Sequence, residues 1–183
     1  MLAPRAWTEV WYYRDPGKTP TSRHTLRFTE TTPHPGMRLL EIDVGAGLDG
    51  RHGARLSGSM DPQNIASINH VAGGRFPRGR GVGYLLINRF AEQARDLGST
   101  RVFLGTPIDT RSVDRAAQTV GEAEVAGERA ALRVYEALGY DVATHAAAIN
   151  SSRTPEQLLI STSAKLDGKW SRHPPPANRC VVS

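Results

Sequence analysis

Three glycines and two arginines crowd the segment Arg78-Gly79-Arg80-Gly81-Val82-Gly83-Tyr84. The apolar run Ile65 to Ala72 ahead of it reads as a β-strand. From Gly83 to Leu97 the period changes: Leu86, Phe90, Ala91, Ala94 and Leu97 fall at helical spacing, with Asn88, Arg89, Glu92, Arg95 and Asp96 on the other side. A strand, a glycine loop and a helix start in that order can hold an anion. Glycines let backbone N–H groups converge on a ligand without a Cβ in the way. The first turn of a helix carries N–H groups with no internal acceptor, and its dipole favours negative charge. Phosphate or pyrophosphate is the expected guest, with Arg78 and Arg80 adding positive charge. A Walker loop is excluded because no Gly-Lys-Ser/Thr follows. The dinucleotide spacing G-x-G-x-x-G is broken at Tyr84. What remains is R-x-x-G-x-G at Arg78, Gly81 and Gly83; a plain Gly-rich connection on a basic surface is the bland alternative.

A second segment lies downstream: Ala131-Leu132-Arg133-Val134-Tyr135-Glu136-Ala137-Leu138-Gly139-Tyr140. Together the two segments resemble the motifs of the GNAT superfamily of acyltransferases. There, R/Q-x-x-G-x-G/A binds the pyrophosphate of acetyl-CoA, and an A-x-x-ϕ-Y-x-x-ϕ-G-F/Y segment follows, ϕ being apolar. The order is right, and the apolar run Arg101 to Gly105 lies between them. The resemblance covers about Ile65 to Leu166. It implies an α/β (α+β) fold with a mixed, mainly antiparallel central sheet whose strands splay, flanked by a few helices. It also implies acyl transfer from acetyl-CoA or another acyl-CoA to an amine by direct attack. The cofactor-binding residues would be Val71, Arg78, Gly79, Arg80, Gly81, Val82, Gly83 and Tyr84. The N–H near Val71 would face the thioester carbonyl. Tyr135 matches the family tyrosine that protonates the departing sulfur, and Tyr140 the packing aromatic after the glycine.

Such a transfer requires a neutral amine, a stabilised oxyanion and a protonated leaving group. A phenol near its ordinary pKa of about 10 stays protonated at neutral pH and can serve as the acid. The strand Ile65 to Val71 has no carboxylate to act as base. His70 has a suitable intrinsic pKa, although a lone histidine is also a common surface or structural group. Ser67 and Asn69 could hold a water instead. Glu128 stands where many family members have an asparagine that contacts coenzyme A. The four acidic residues of Thr106 to Gly127 (Asp109, Asp114, Glu122 and Glu124) could attract a cationic amine, or simply be a solvated loop.

The rest of the chain must position these residues. Trp7 to Tyr13, His24 to Thr31, Met37 to Val44 and Ala54 to Met60 read as strands separated by Gly, Pro and Asp clusters, an antiparallel meander. The helices that the family places between its first strands are missing, so its N-terminal helices are reduced. The acceptor pocket would then be open, built from other segments, or completed by a second subunit of a homodimer. Glu128 to Leu138 is expected to be a helix with Ala131, Val134 and Leu138 inward. Asp141 to Ile149 and Leu158 to Leu166 are expected to be strands, with Thr154 to Gln157 as a turn or short helix between them.

With 183 residues, 39% hydrophobic and net charge +5, the chain fits one domain over residues 1–170, its motif-bearing core at 65–166. A Pro-containing flexible tail is expected at 171–183. No run approaches 18 apolar residues, and the start lacks a signal-peptide pattern, so a cytoplasmic protein without a membrane partner is expected. Cys180 is alone, and no His/Cys cluster has metal-ligand spacing. The terminal Cys180-Val181-Val182-Ser183 has the form of a prenylation signal, readily matched by chance. Of the 23 basic residues 20 are Arg. Codon bias in a GC-rich genome accounts for that excess, and the positive charge also suits an anionic partner. Nucleic acid is not favoured, because basic and aromatic residues are not interleaved. The rival to an enzyme is an inactive protein of the same fold that binds coenzyme A or a protein partner.

Overall fold

The computed structural model describes residues 3–15, 17, 21–45, 53–73, 79–105 and 131–174. The chain begins with five strands: β1 (Arg5–Tyr13), β2 (Ser22–His34), β3 (Met37–Val44), β4 (Ala54–Met60) and β5 (Ile65–Ala72). Helix α1 (Val82–Asp96) and strand β6 (Arg101–Leu104) follow. A helix, α2, runs through 131–137. Then come α3 (His145–Asn150), β7 (Ser152–Arg153), α4 (Pro155–Leu166) and β8 (Trp170–Ser171).

Among the described residues the strands form one eight-stranded sheet in the order β7-β6-β5-β4-β3-β2-β1-β8. Every pairing is antiparallel except β5 with β6. That parallel pair needs a crossover, and α1 supplies it. The class is therefore α+β with a mixed, mostly antiparallel sheet, as the sequence led one to expect. Strands β3, β4 and β5 have the bounds read from the sequence, because Gly, Pro and Asp clusters punctuate them. Described residues before β5 contain no helix.

Alternation gives the sheet one dry face. Leu26, Phe28, Ile42, Leu56, Ile68 and Val102 are buried on it, while Arg27, Glu41 and Arg55 on the other face are exposed. Helix α1 lies on the dry face. Its Phe90 occupies the space above Gly58 of β4, where a Cβ would sit 2.3 Å from the ring. Helix α4 packs beside α1, and the buried Asn88 amide donates to Thr162 Oγ1 at 3.0 Å.

Two expectations fail at the C-terminal end. Asp141 to Ile149 is not a strand: its alanines support α3, which Thr144 caps by accepting from the Ala147 N–H. Leu158 to Leu166 is not a strand either but the body of α4. There Thr154 and Gln157 form a reciprocal capping box and Pro155 sits in the first turn. The strands that do close the sheet are two residues long, one at each edge. Ser171, placed by the sequence reading at the start of the tail, instead pairs with Tyr12. Residues 175–183, with Cys180, lie outside the described residues.

The polar side expected of α1 is also corrected. Asn88 and Arg89 are both buried. Arg89 grips Glu9 of β1 through Nε (2.7 Å) and Nη2 (3.0 Å), and each side chain is only 7% exposed. The two side chains bridge β1 and the helix side that periodicity assigned to solvent.

Candidate active site

Strand β5 pairs with β4 along its length, with a bulge. Gly58 faces Ile68 and Ser57 faces His70, which leaves Asn69 as the extra residue. Its pairing with β6 stops at Ile68, whose carbonyl accepts from the Gly105 N–H at 2.9 Å. The two strands separate beyond that bond. Ile68 turns its backbone toward β6, so Gly58 opposite it turns away from β5, and so does Leu56, two residues earlier on an unbulged strand. Leu56 is opposite Val71. The Val71 N–H therefore points into the gap beside β6. The sequence resemblance implied an oxyanion donor near Val71, and this gap is where the structure places that N–H.

The chain between β5 and α1 passes through residues 74–78, which lie outside the described residues and include Arg78. Gly79 and Gly81 both have positive φ, 78° and 73°. Gly81 is the residue at which α1 begins, and this left-handed geometry favours glycine. The first bond of the helix runs from the Leu85 N–H to the Gly81 carbonyl at 3.1 Å. Among the described residues no side chain caps this end, and no acidic residue lies in the first turn. Among the described residues, none accepts from the N–H groups of Val82, Gly83 and Tyr84. Lys165 of α4 holds its Nζ 5.7 Å from the centre of the Tyr84 ring, which adds positive charge near this helix end.

Gly83 is the meeting point of three elements. A Cβ there would lie 3.6 Å from Val134 of α2 and 3.9 Å from Val71 of β5. The bared end of α1, the free edge of β5 and the helix that carries Tyr135 therefore converge. Tyr135 is 4% exposed, and burial pushes its phenol well above 10. Its ring meets the Tyr140 ring edge-on at 6.2 Å, and the Tyr140 hydroxyl donates to the Val102 carbonyl at 2.9 Å. The packing role expected of Tyr140 is thus what the structure shows.

His70 is exposed and lies opposite Ser57, on the sheet face away from α1. Its side chain is separated by the sheet from the groups around Gly83. Glu128 and Thr106 to Gly127 lie outside the described residues.

Several partners of the site escaped sequence reasoning. The Trp170 indole N–H donates to the Arg80 carbonyl at 2.6 Å. The Arg80 guanidinium lies 4.9 Å from the centre of the Tyr13 ring, and Tyr13 and Trp170 pack at 5.0 Å. His24 joins them at 5.3 Å from Trp170; burial, and secondarily Arg80, lowers its pKa below the usual 6.5. No local pattern announces this cluster, because Arg80 and Trp170 are 90 residues apart.

Among solved structures the comparison finds nourseothricin acetyltransferase. The match covers 62% of this chain and 69% of that one, with 18% identity and a TM-score of 0.32. No family model matches the chain, and no curated protein matches it. No helix among the described residues is long and apolar enough to cross a membrane.

Proposed function

We propose that the protein is an N-acyltransferase that moves an acetyl or short acyl group from acyl-CoA to an amine. One observation carries the reading. The bare start of α1 at Gly81 abuts the edge of β5 where its pairing with β6 has ended. The residues fit a diphosphate: among the described residues, three main-chain N–H groups stand at a helix N-terminus without a side-chain cap, and its first turn holds no acidic residue. Gly79, Gly81, Val82, Gly83 and Tyr84 would hold that group, and coenzyme A would supply the thioester.

In this reading the Val71 N–H polarises the thioester carbonyl as its oxygen gains charge. The amine nitrogen forms the new C–N bond and the C–S bond breaks. One proton leaves the amine and one is taken up by the sulfur. Tyr135 would supply the proton to the departing sulfur. Burial keeps this phenol in its donor form and opposes the phenolate, so reprotonation must follow promptly. The amine proton goes to water, because the sheet separates His70 from these groups.

The second reading, a coenzyme A binder without turnover, is favoured by the absence of any carboxylate on β5. Titration calorimetry with coenzyme A, followed by thiol release from acetyl-CoA over a panel of amines, separates the two. A matched pair of variants tests the cradle itself. Gly81→Asn and Gly81→Asp share the left-handed backbone cost and the shape, and both residue types tolerate that region. They differ by one charge. Like charges 4 Å apart repel by about 1 kcal/mol in water and about 4 kcal/mol at the permittivity of a protein surface. Gly81→Asp is expected to bind coenzyme A about 10- to 100-fold more weakly than Gly81→Asn. Equal affinities would remove the cradle.

A further inference from the structure

We propose that Trp170, on the short edge strand β8, is a positioning residue for the anion cradle. The inference rests on the reading above. A trans peptide is planar, with its C=O and N–H pointing in opposite directions. The Trp170 indole holds the Arg80 carbonyl at 2.6 Å. The Gly81 N–H of the same peptide must therefore point away from β8. It joins the N–H groups of the first turn of α1 as a fourth donor.

The other end of Arg80 is also fixed. Its guanidinium lies over the Tyr13 ring, and the Tyr13 hydroxyl donates to Asp15 at 2.6 Å. Tyr13 and Trp170 are themselves in contact and are paired across β1 and β8. The Arg14 N–H donates to the Lys169 carbonyl at 2.9 Å, which extends this seam. A loop with positive φ on both sides of Arg80 would otherwise sample many orientations of the Arg80–Gly81 peptide. The two aromatic residues select one. The C-terminal edge of the sheet thereby belongs to the site, although it stands far from the loop in sequence.

The test replaces the indole by a ring that cannot donate. Trp170→Phe keeps a ring against Tyr13 and His24 and loses the N–H. The probes are acetyl-CoA and S-acetylpantetheine, which lacks the diphosphate. The expected result is about a fivefold rise in KM for acetyl-CoA, the scale of one lost hydrogen bond, with kcat unchanged and no change toward S-acetylpantetheine. Coenzyme A affinity by calorimetry should weaken by the same factor. Equal affinity in the variant and the parent overturns the positioning role and leaves the parent reading standing. An equal loss toward both probes also overturns it, because the effect is then on the whole fold. Failure of the parent protein to bind coenzyme A overturns both. Should Trp170→Phe not fold, benzothienylalanine at position 170 removes only the donor, and the same outcomes apply.

Discussion

The ion pair between Glu9 and Arg89 ties the helix that forms the candidate site to the far strand of the sheet, and its removal gives a quantitative test. Both side chains are 7% exposed, and Arg89 spans both carboxylate oxygens of Glu9. Removing one member of such a buried pair costs about 3–5 kcal/mol, because an uncompensated charge stays behind. The two halves are not equivalent. In Glu9→Gln, Arg89 keeps Glu92, whose side chain is 32% exposed and which returns about 1 kcal/mol at most. The expected loss is about 2–4 kcal/mol. In Arg89→Met, Glu9 keeps only Arg172 at 4.0 Å among the described ion pairs, and the full penalty of about 3–5 kcal/mol is expected. The double change Glu9→Leu with Arg89→Met buries two apolar side chains against Trp11, which already lies under the guanidinium at 5.7 Å. It should return to within about 1–2 kcal/mol of the parent. Urea unfolding of the four proteins gives the coupling energy directly. Salt should change little, since the pair is shielded from solvent ions. A loss below about 1 kcal/mol in Arg89→Met, or a double variant as unstable as the two singles summed, would refute the reasoning.

Gly58→Ala puts a Cβ 2.3 Å from Phe90 and 2.9 Å from the Ser67 carbonyl, so it should destabilise by about 1–3 kcal/mol; adding Phe90→Leu should recover part of that loss in the same denaturation assay. Thr154→Ala removes the capping box of α4 and should cost about 1 kcal/mol, with local amide exchange rising first at Gln157. Burial raises the Tyr135 and Tyr140 phenols above their unfolded value of 10, so their contribution is intact below pH 10 and is lost as pH rises beyond it. The urea midpoint should therefore fall above pH 10, and less steeply in Tyr135→Phe. His24 has the opposite sign: its lowered pKa makes stability present above about pH 6.5 and lost as pH falls through the folded value, a slope that His24→Gln should flatten.

The parts of the fold that were legible in the sequence are those written in local chemistry. β3, β4 and β5 alternate and end at turn residues, and α1 is displaced by one residue at each end from its periodic reading. The glycine loop and the tyrosine helix were also local patterns. The two C-terminal segments misread as strands were short apolar runs, for which period alone does not separate strand from helix. The deciding residues were present as Thr154-Pro155-Glu156-Gln157, which is a helix start when read as a capping box and a turn when read by Pro alone. Glu9, Arg89 and Trp170 were illegible for another reason. Their roles depend on which distant side chains meet and on which strand closes the sheet edge, and neither leaves a periodic trace.

The candidate site lies where β5 and β6 part and α1 begins. Where the parallel pair ends, the extra residue Asn69 sets its carboxamide against Gly105, with Oδ1 2.2 Å from where a Cβ would be. Gly105 and the bulge therefore act together, one giving room and the other filling it, and β5 leaves β6 after Ile68. On the dry face, Gly58 lets α1 settle close enough for its N-terminus to reach the separated edge. The Glu9–Arg89 pair fixes the middle of that helix, and Trp170 fixes its approach loop. The donors at Val71 and at residues 82–84 are thus presented by a framework whose constraints lie one to five strands away. Substitutions far from any ligand should therefore affect the site through strand separation and helix seating before they affect its chemistry.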